Sequence, residues 1–198
     1  MTRIAVLASH GGSILQAILD ACRAGELPAE VVLVIGNNSG SLALRRAVAA
    51  GVGTLHLSGR THADPDALDR AIRDALLGAR ADWVMLAGYM KKIGNRTLAA
   101  FPQRILNTHP ALLPKYGGQG FYGRRVHQAV LDAGERESGA TVHLVDADYD
   151  TGPAVSRVRV PVEPSDSVED LEARVQSAER ELVVDTLKGL IAGTISTG

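Results

Sequence analysis

The sequence predicts an α/β fold: a Rossmann-like, mixed but mostly parallel sheet with helices on both faces. Three observations predict it. Through the first half of the chain, apolar runs of strand length alternate with stretches of helical period, the pattern of parallel βαβ units. A glycine-rich turn follows the first apolar run, where such a strand hands over to its crossover helix. Late in the chain, strict apolar and polar alternation marks an antiparallel addition with one wet face.

Ile4 to Ala8 reads as a buried first strand, and Gly11-Gly12-Ser13 as the turn after it. Leu15, Ile18, Leu19 and Cys22 then fall at i, i+3, i+4, i+7 spacing, which is one face of a helix. Val31 to Ile35 repeats the strand signature and Leu42 to Ala50 the helix. Thr54 to Leu57 is a third strand before a helix over Asp64 to Leu77, whose start is marked by Pro65 just after Asp64. Trp83 to Leu86 and Arg104 to Leu106 are two more strands, Trp83 opening its strand as a core residue, and Val126 to Ala133 a further helix. Thr141 to Val145 and Ala154 to Val162 are separated by a turn containing Gly and Pro, and in the second Ser156, Val158 and Val160 alternate with Arg157 and Arg159. A long amphipathic helix starts near Ser167, with Val168, Leu171, Val175, Ala178 and Leu182 as its apolar stripe. No repeat, low-complexity run or linker interrupts the chain, so one domain over 1–198 is expected.

Composition narrows the function classes. Of 198 residues, 45% are apolar and 22% charged, and the mean hydropathy is +0.05; these are the proportions of a globular core, not of a disordered or fibrous chain. Lys and Arg number 21 against 22 acids, a net charge of -1. That balance argues against nucleic acid as the partner, because phosphate affinity is built from clustered bases. Cys22 is the single cysteine, which excludes an intrachain disulfide and a cysteine-based zinc site and suggests a reducing compartment. The opening apolar run stops at Ser9, far short of the ~18 residues of a membrane span. It lacks an export cleavage pattern, so a soluble cytoplasmic protein with no membrane partner is expected.

Three stretches carry chemistry. Ser9-His10-Gly11-Gly12-Ser13 closes the first strand, where free N–H groups and a helix dipole suit a phosphate; a tight turn needing small residues reads the same way. Its glycines follow neither the dinucleotide nor the nucleoside-triphosphate fingerprint. Asn107-Thr108-His109-Pro110 comes directly after a buried strand. An amide and an imidazole two apart either serve one substrate carbonyl as donor and proton carrier, or cap a loop. Asp146, Asp148 and Asp150 follow the Thr141 strand. They fit a divalent cation, a solvated turn, or a carboxylate that raises the pKa of His109. Of the other conspicuous residues, His127 reads as surface or packing, His143 as a core or supporting histidine, and Arg124-Arg125 is too short a basic run to imply nucleic acid.

Taken in order, Ser9-His10-Gly11-Gly12-Ser13-Ile14-Leu15-Gln16-Ala17-Ile18, Leu86-Ala87-Gly88-Tyr89-Met90, Asn107 through Pro114, Asp150-Thr151-Gly152-Pro153, and Arg174-Val175-Gln176 with Glu179 resemble the folate-dependent formyltransferases, over almost the whole chain. The resemblance implies formyl transfer from 10-formyltetrahydrofolate to the primary amine of phosphoribosylglycinamide in purine biosynthesis. The alternatives are another amine acceptor, such as an amino sugar, or an inactive folate-binding homologue. It makes Asn107, His109 and Asp150 the catalytic trio, with Asp150 keeping His109 charged, and it implies no metal. It assigns Gly12, Ser13 and Ile14 to the substrate phosphate through their N–H groups and Glu179 to the ribose hydroxyls. Met90, Lys91, Lys92 and Ile93, with Asn107, go to the folate, and the assembly is expected to be a monomer or homodimer.

Three departures from the family pattern stand out. Ile14 replaces the usual Asn, and the family's basic residue near Pro65 is absent, Arg60 being a conceivable replacement. Gly117 to Arg125 forms a glycine-rich segment where many relatives are shorter. It is expected either to cover the acceptor side, with Arg124 and Arg125 meeting the phosphate, or to act as a rigid connector.

Overall fold

The computed structural model describes residues 1–197. Its elements run β1 (Thr2–Ala8), α1 (Ser13–Ala24), β2 (Ala29–Gly36), α2 (Leu42–Ala49), β3 (Gly53–His56), α3 (Pro65–Gly78), β4 (Trp83–Leu86), α4 (Asn95–Ala100) and β5 (Ile105–His109), then α5 (Arg124–Asp132), β6 (Glu137–Leu144), β7 (Ala154–Pro161) and α6 (Val168–Ala192). The strand order is β3-β2-β1-β4-β5-β6-β7, with β6 and β7 antiparallel. The expected mixed, mostly parallel α/β sheet is the one found. The backbone divides into two compact units, Met1–Asn107 and Thr108–Gly198, described in turn.

In the first unit all strand pairs are parallel. β1 is its centre, and Ile4 through Ala8 are wholly buried because both faces of a parallel sheet are covered. The crossover through α1 leads from β1 outward to β2, whereas α3 returns the chain past β1 to β4. The direction therefore reverses between β1 and β4, and the loops leaving their carboxyl ends flank a topological switch point, the usual ligand crevice of an open α/β sheet. The loops are stapled there: Ser9 N–H donates to the Gly88 carbonyl at 3.2 Å, and Met90 N–H to the Ser9 hydroxyl at 2.8 Å.

The expected helix start at Asp64 is met, since Asp64 caps the Asp66 and Ala67 N–H groups and Pro65 opens the first turn. Helix α4 had no sequence expectation. Its six residues carry no apolar periodicity, and its start is capped by a distant residue: Asp69, buried on α3, accepts from the N–H groups of Arg96 and Thr97 and from the Thr97 hydroxyl. Gly94 is required here, because a Cβ would lie 2.2 Å from the Asp69 carboxyl carbon.

The second unit joins the β6–β7 hairpin to α5 and α6. Val130, Ala140, Val160, Leu171 and Val175 form its core. Strand β6 begins at Glu137, four residues before the expected Thr141, because Glu137 to Ala140 pair with Val158 to Pro161 across the hairpin. Gly139 is needed in that pairing, since a Cβ would lie 1.9 Å from the Val158 carbonyl oxygen. On α6, Ser167 and Asp170 form a capping box. The fully buried stripe is Leu171, Val175, Glu179, Val183 and Leu187, at strict i+4 spacing, while the expected Ala178 and Leu182 sit at its half-buried margin. A carboxylate thus occupies a core-facing position.

Candidate active site

Helix α1 begins at a glycine with nothing to cap it. Gly12 has φ +70, and a Cβ there would lie 2.8 Å from Cα and Cβ of Ala43 on α2, so only glycine permits the approach. No side chain caps the helix and its first turn holds no acid, which leaves the opening N–H groups and the positive end of the dipole for an anion. Ser13 is exposed, and Ile14 turns its side chain into the core at 5% exposure. What Ile14 offers at this turn is therefore its N–H. The sequence reading missed Arg46, whose guanidinium donates to the Gly11 carbonyl at 3.0 Å and to the Gln16 side chain at 2.9 Å. It brings a positive charge to this turn from α2, a position that only the fold reveals. Arg60 is exposed in the loop after β3.

Across the switch point, Met90, Lys91 and Lys92 are exposed and Ile93 is buried at 4%. Tyr89, just before them, is buried, and burial pushes its phenol up to about 12. Asn107 is half-buried on β5, opposite Leu86 of β4.

The sequence placed Asn107 and His109 after the strand; the structure extends β5 through His109. Both are therefore held by a strand backbone, and alternation gives residues two apart the same face. His109 is 4% exposed. Its Nδ1 lies 3.5 Å from Oδ2 of Asp150, and its Nε2 lies 2.6 Å from the Tyr116 carbonyl. A carbonyl only accepts, so Nε2 carries a proton, and Nδ1 is the nitrogen that gains or loses one. Burial holds the imidazole below its ordinary value, outweighing the Asp150 charge and the Tyr116 carbonyl that favour the cation. The expected upward shift is thus reversed, because desolvation is the larger effect.

Asp150 adopts φ +57, a left-handed conformation uncommon outside glycine and least costly for Asp and Asn. Its Oδ2 accepts from Gly118 N–H at 2.9 Å, and its Oδ1 lies 3.4 Å from Nε2 of His143. His143 is buried on β6 and anchored through Nδ1 to the Leu144 carbonyl at 2.8 Å. It is a support for the carboxylate, one of the two roles expected of it. Burial pushes Asp150 up, but the His143 hydrogen bond, the His109 charge and the Gly118 N–H together hold it below the ordinary carboxylate value. Gly152 completes the turn, since a Cβ there would lie 1.9 Å from the Leu144 carbonyl oxygen.

The other two acids separate from Asp150. Asp146 accepts from Asp148 N–H and the Thr151 hydroxyl, which makes it a turn residue. Among the described residues no group of three or more His, Cys, Asp or Glu is arranged to hold a metal. Glu179 lies in the buried stripe of α6 and accepts from the Thr108 hydroxyl at 2.9 Å. Burial pushes its carboxyl up to about 7, against the Thr108 bond and the Arg180 charge.

The segment after His109 carries Tyr116, whose ring meets Phe121 edge-on at 6.2 Å between centroids. Arg124 is tied to α6, with its guanidinium on Glu169 at 2.6 Å and Glu172 at 3.0 Å, while Arg125 lies over the Tyr122 ring. Arg124, expected to meet a phosphate when the segment closes, is engaged here by two carboxylates of α6. His127 is 1% exposed, a packing residue, and burial lowers its pKa.

The formyl transferase family model matches residues 2–187. A phosphoribosylglycinamide formyltransferase of Haemophilus influenzae is 37% identical over 195 residues, covering 98% of this chain and 90% of its own. The trifunctional purine biosynthetic protein adenosine-3 of Drosophila melanogaster is 40% identical over 97% of this chain, which spans 14% of that longer protein. The crystal structure of glycinamide ribonucleotide transformylase 1 from Symbiobacterium toebii superposes with a TM-score of 0.91 at 39% identity, over 98% of this chain and 89% of that one.

Proposed function

The chain belongs to the formyl transferase family, and on that premise we propose that it transfers the formyl group of 10-formyltetrahydrofolate to the primary amine of phosphoribosylglycinamide in purine biosynthesis. Both units are read as parts of one formyltransferase domain, since the family match runs through both. The observation that supports the reading best is His109 held between Asp150 and the Tyr116 carbonyl. A buried imidazole with a proton on one nitrogen and an ionised carboxylate at the other is equipped to manage charge in acyl transfer.

The folate supplies the activated formyl group. When an amine adds to that carbon, the formyl oxygen gains negative charge, and donors aimed at it are worth most in a water-poor site. His109 offers its Nε2–H for this role once that N–H exchanges the Tyr116 carbonyl for substrate. Asn107 offers its side-chain amide as a second donor, an assignment that rests on the sequence resemblance. Asp150 is held ionised at neutral pH. It favours the imidazolium form of His109, and it takes the amine's proton, directly or through water, and passes it to the departing folate nitrogen as the bond between that nitrogen and the formyl carbon breaks. The uncapped start of α1, with Gly12, Ser13 and Ile14 and the charge of Arg46 beside it, suits the acceptor's phosphate. Glu179, with a proton up to about 7, is suited to ribose hydroxyls as donor or acceptor. Met90 to Ile93 offer an apolar and cationic edge to the folate.

The test is an assay of purified protein with 10-formyltetrahydrofolate against phosphoribosylglycinamide and a panel of amino sugars and other amines. Formylation of phosphoribosylglycinamide far faster than of the others supports the reading. Preference for an amino sugar would move it to that acceptor, and no transfer to any amine by folded protein would leave a folate-binding homologue.

A further inference from the structure

Thr108 stands between Asn107 and His109 on β5, and alternation turns its side chain to the other face of the strand. There it meets α6. Its hydroxyl donates to Oε1 of Glu179 at 2.9 Å, and the two residues are 8% and 9% exposed. Valine, equally β-branched, would suit the strand as well. What the hydroxyl adds is this one bond. The carboxyl it holds is open on its other side. Among the described residues, the side-chain polar atoms sealed from solvent without a partner belong to Asn37, His127 and Ser138. Oε2 of Glu179 takes no hydrogen bond from the described residues and is not one of those sealed atoms, so it lies at the residue's open edge.

With Oε1 already accepting from a donor, a proton carried by the carboxyl sits on Oε2, which donates when protonated and accepts when ionised. Arg180, the next residue on α6, supplies the charge that favours ionisation. We infer that Thr108 is a positioning residue for the acceptor: its hydroxyl fixes the Glu179 carboxyl so that Oε2 meets the ribose hydroxyls. The inference rests on the ribose role proposed for Glu179. Its physical basis is preorganisation. A long side chain free to rotate loses that freedom on binding, whereas one already tied to a strand does not. The tie runs to the residue next to His109, so the ribose anchor and the imidazole share one stretch of backbone, and fixing the ribose also fixes the amine's approach.

Thr108→Val removes the hydroxyl at nearly constant volume, and Thr108→Ser keeps it. Carbon NMR of the Glu179 carboxyl on the intact chain, with steady-state kinetics beside it, tests both. The parent carboxyl is expected to titrate at about 7. Losing a donor to the charged form raises that midpoint, so Thr108→Val should titrate higher and Thr108→Ser like the parent. The KM for phosphoribosylglycinamide is expected to rise about tenfold in Thr108→Val, the scale of one hydrogen bond, with kcat nearly unchanged and Thr108→Ser close to the parent. A midpoint unmoved in Thr108→Val would overturn the tie. A moved midpoint with an unchanged acceptor KM would overturn the positioning, as would a loss confined to kcat or one that serine does not restore. Glu179→Ala tests the underlying reading separately. An acceptor KM unchanged there would overturn the ribose role itself, whereas a raised KM there with none in Thr108→Val would overturn the part of Thr108 alone.

Discussion

At the scale of single residues, His109 and Asp150 form a unit and should fail as one. His109→Ala removes the Nε2–H, and Asp150→Asn removes the carboxylate that holds the imidazolium. Each is expected to lower formyl transfer by roughly 10²- to 10⁴-fold, the range for positioned acid–base groups. The double variant should be little worse than the poorer single one, because residues acting together are non-additive. Multiplying effects in the double variant would show independent roles. That His109 and Asp150 deserve to be read together was legible because each sits in a motif with particular neighbours, and the structure places them 3.5 Å apart. The environment of His109 was not: a nearby carboxylate suggests an upward shift, and only the folded structure shows that burial outweighs it. Glu179 was legible through resemblance alone, although a glutamate in register with Leu171, Val175, Val183 and Leu187 is itself a signal. Arg46 lies on a different helix from the turn it serves, and its spacing in sequence says nothing of that.

At the scale of elements, two segments show what periodicity reads and what it misses. The parallel strands and long helices were legible because each repeats its own period over several turns or residues. Helix α4 was not, since the Asp69 carboxylate that caps it lies more than a turn's length away in sequence and arrives only through folding. Asp69→Ala is expected to destabilise the protein by about 2 kcal/mol or more, because it leaves buried N–H groups unpaired. Gly94→Ala should also destabilise it, by forcing that carboxylate aside. Urea unfolding checks both, and an unchanged midpoint in Asp69→Ala would mean the cap is dispensable. The glycine-rich segment makes the second case. Its far end is fixed by Arg124 on α6, so any cover must pivot within residues 117–123. Those residues contain Gly117, Gly118, Gly120 and Gly123, three of them at positive φ. Exchange of the His109 Nε2–H from Tyr116 to substrate would begin at the same segment. Hydrogen exchange across 117–123 is therefore expected to slow when phosphoribosylglycinamide binds, whereas Arg124→Ala should leave acceptor affinity unchanged, since Arg124 is already engaged by Glu169 and Glu172. Unchanged exchange would make the segment a connector, and a weakened acceptor in Arg124→Ala would restore its phosphate role.

At the scale of the whole molecule, buried titrating groups of opposite sign set how stability follows pH. His109 and His127 are both lowered by burial, so below the unfolded value of ~6.5 the unfolded chain binds protons that the folded chain refuses. Their contribution is present above that value and is lost as pH falls through their folded values. Glu179 works in the other direction. Its folded carboxyl keeps a proton up to about 7 against an ordinary 4.5, so its neutral burial is tolerated at low pH, and stability is lost as pH rises from 4.5 to about 7. At roughly 1.36 kcal/mol per unit, that loss is about 3 kcal/mol. Between the two lies an overlap in which acid costs the histidines and base costs the glutamate, and stability should change little with pH there. Glu179→Gln separates them. The amide keeps an acceptor for Thr108 and cannot ionise, so the variant should gain up to about 3 kcal/mol over the parent near pH 8 and almost nothing near pH 4.5. Its stability should then decline only toward acid, following the histidines. Urea unfolding across that range decides the matter: an equal gain at both ends would mean that the glutamate's charge is not what the fold resists.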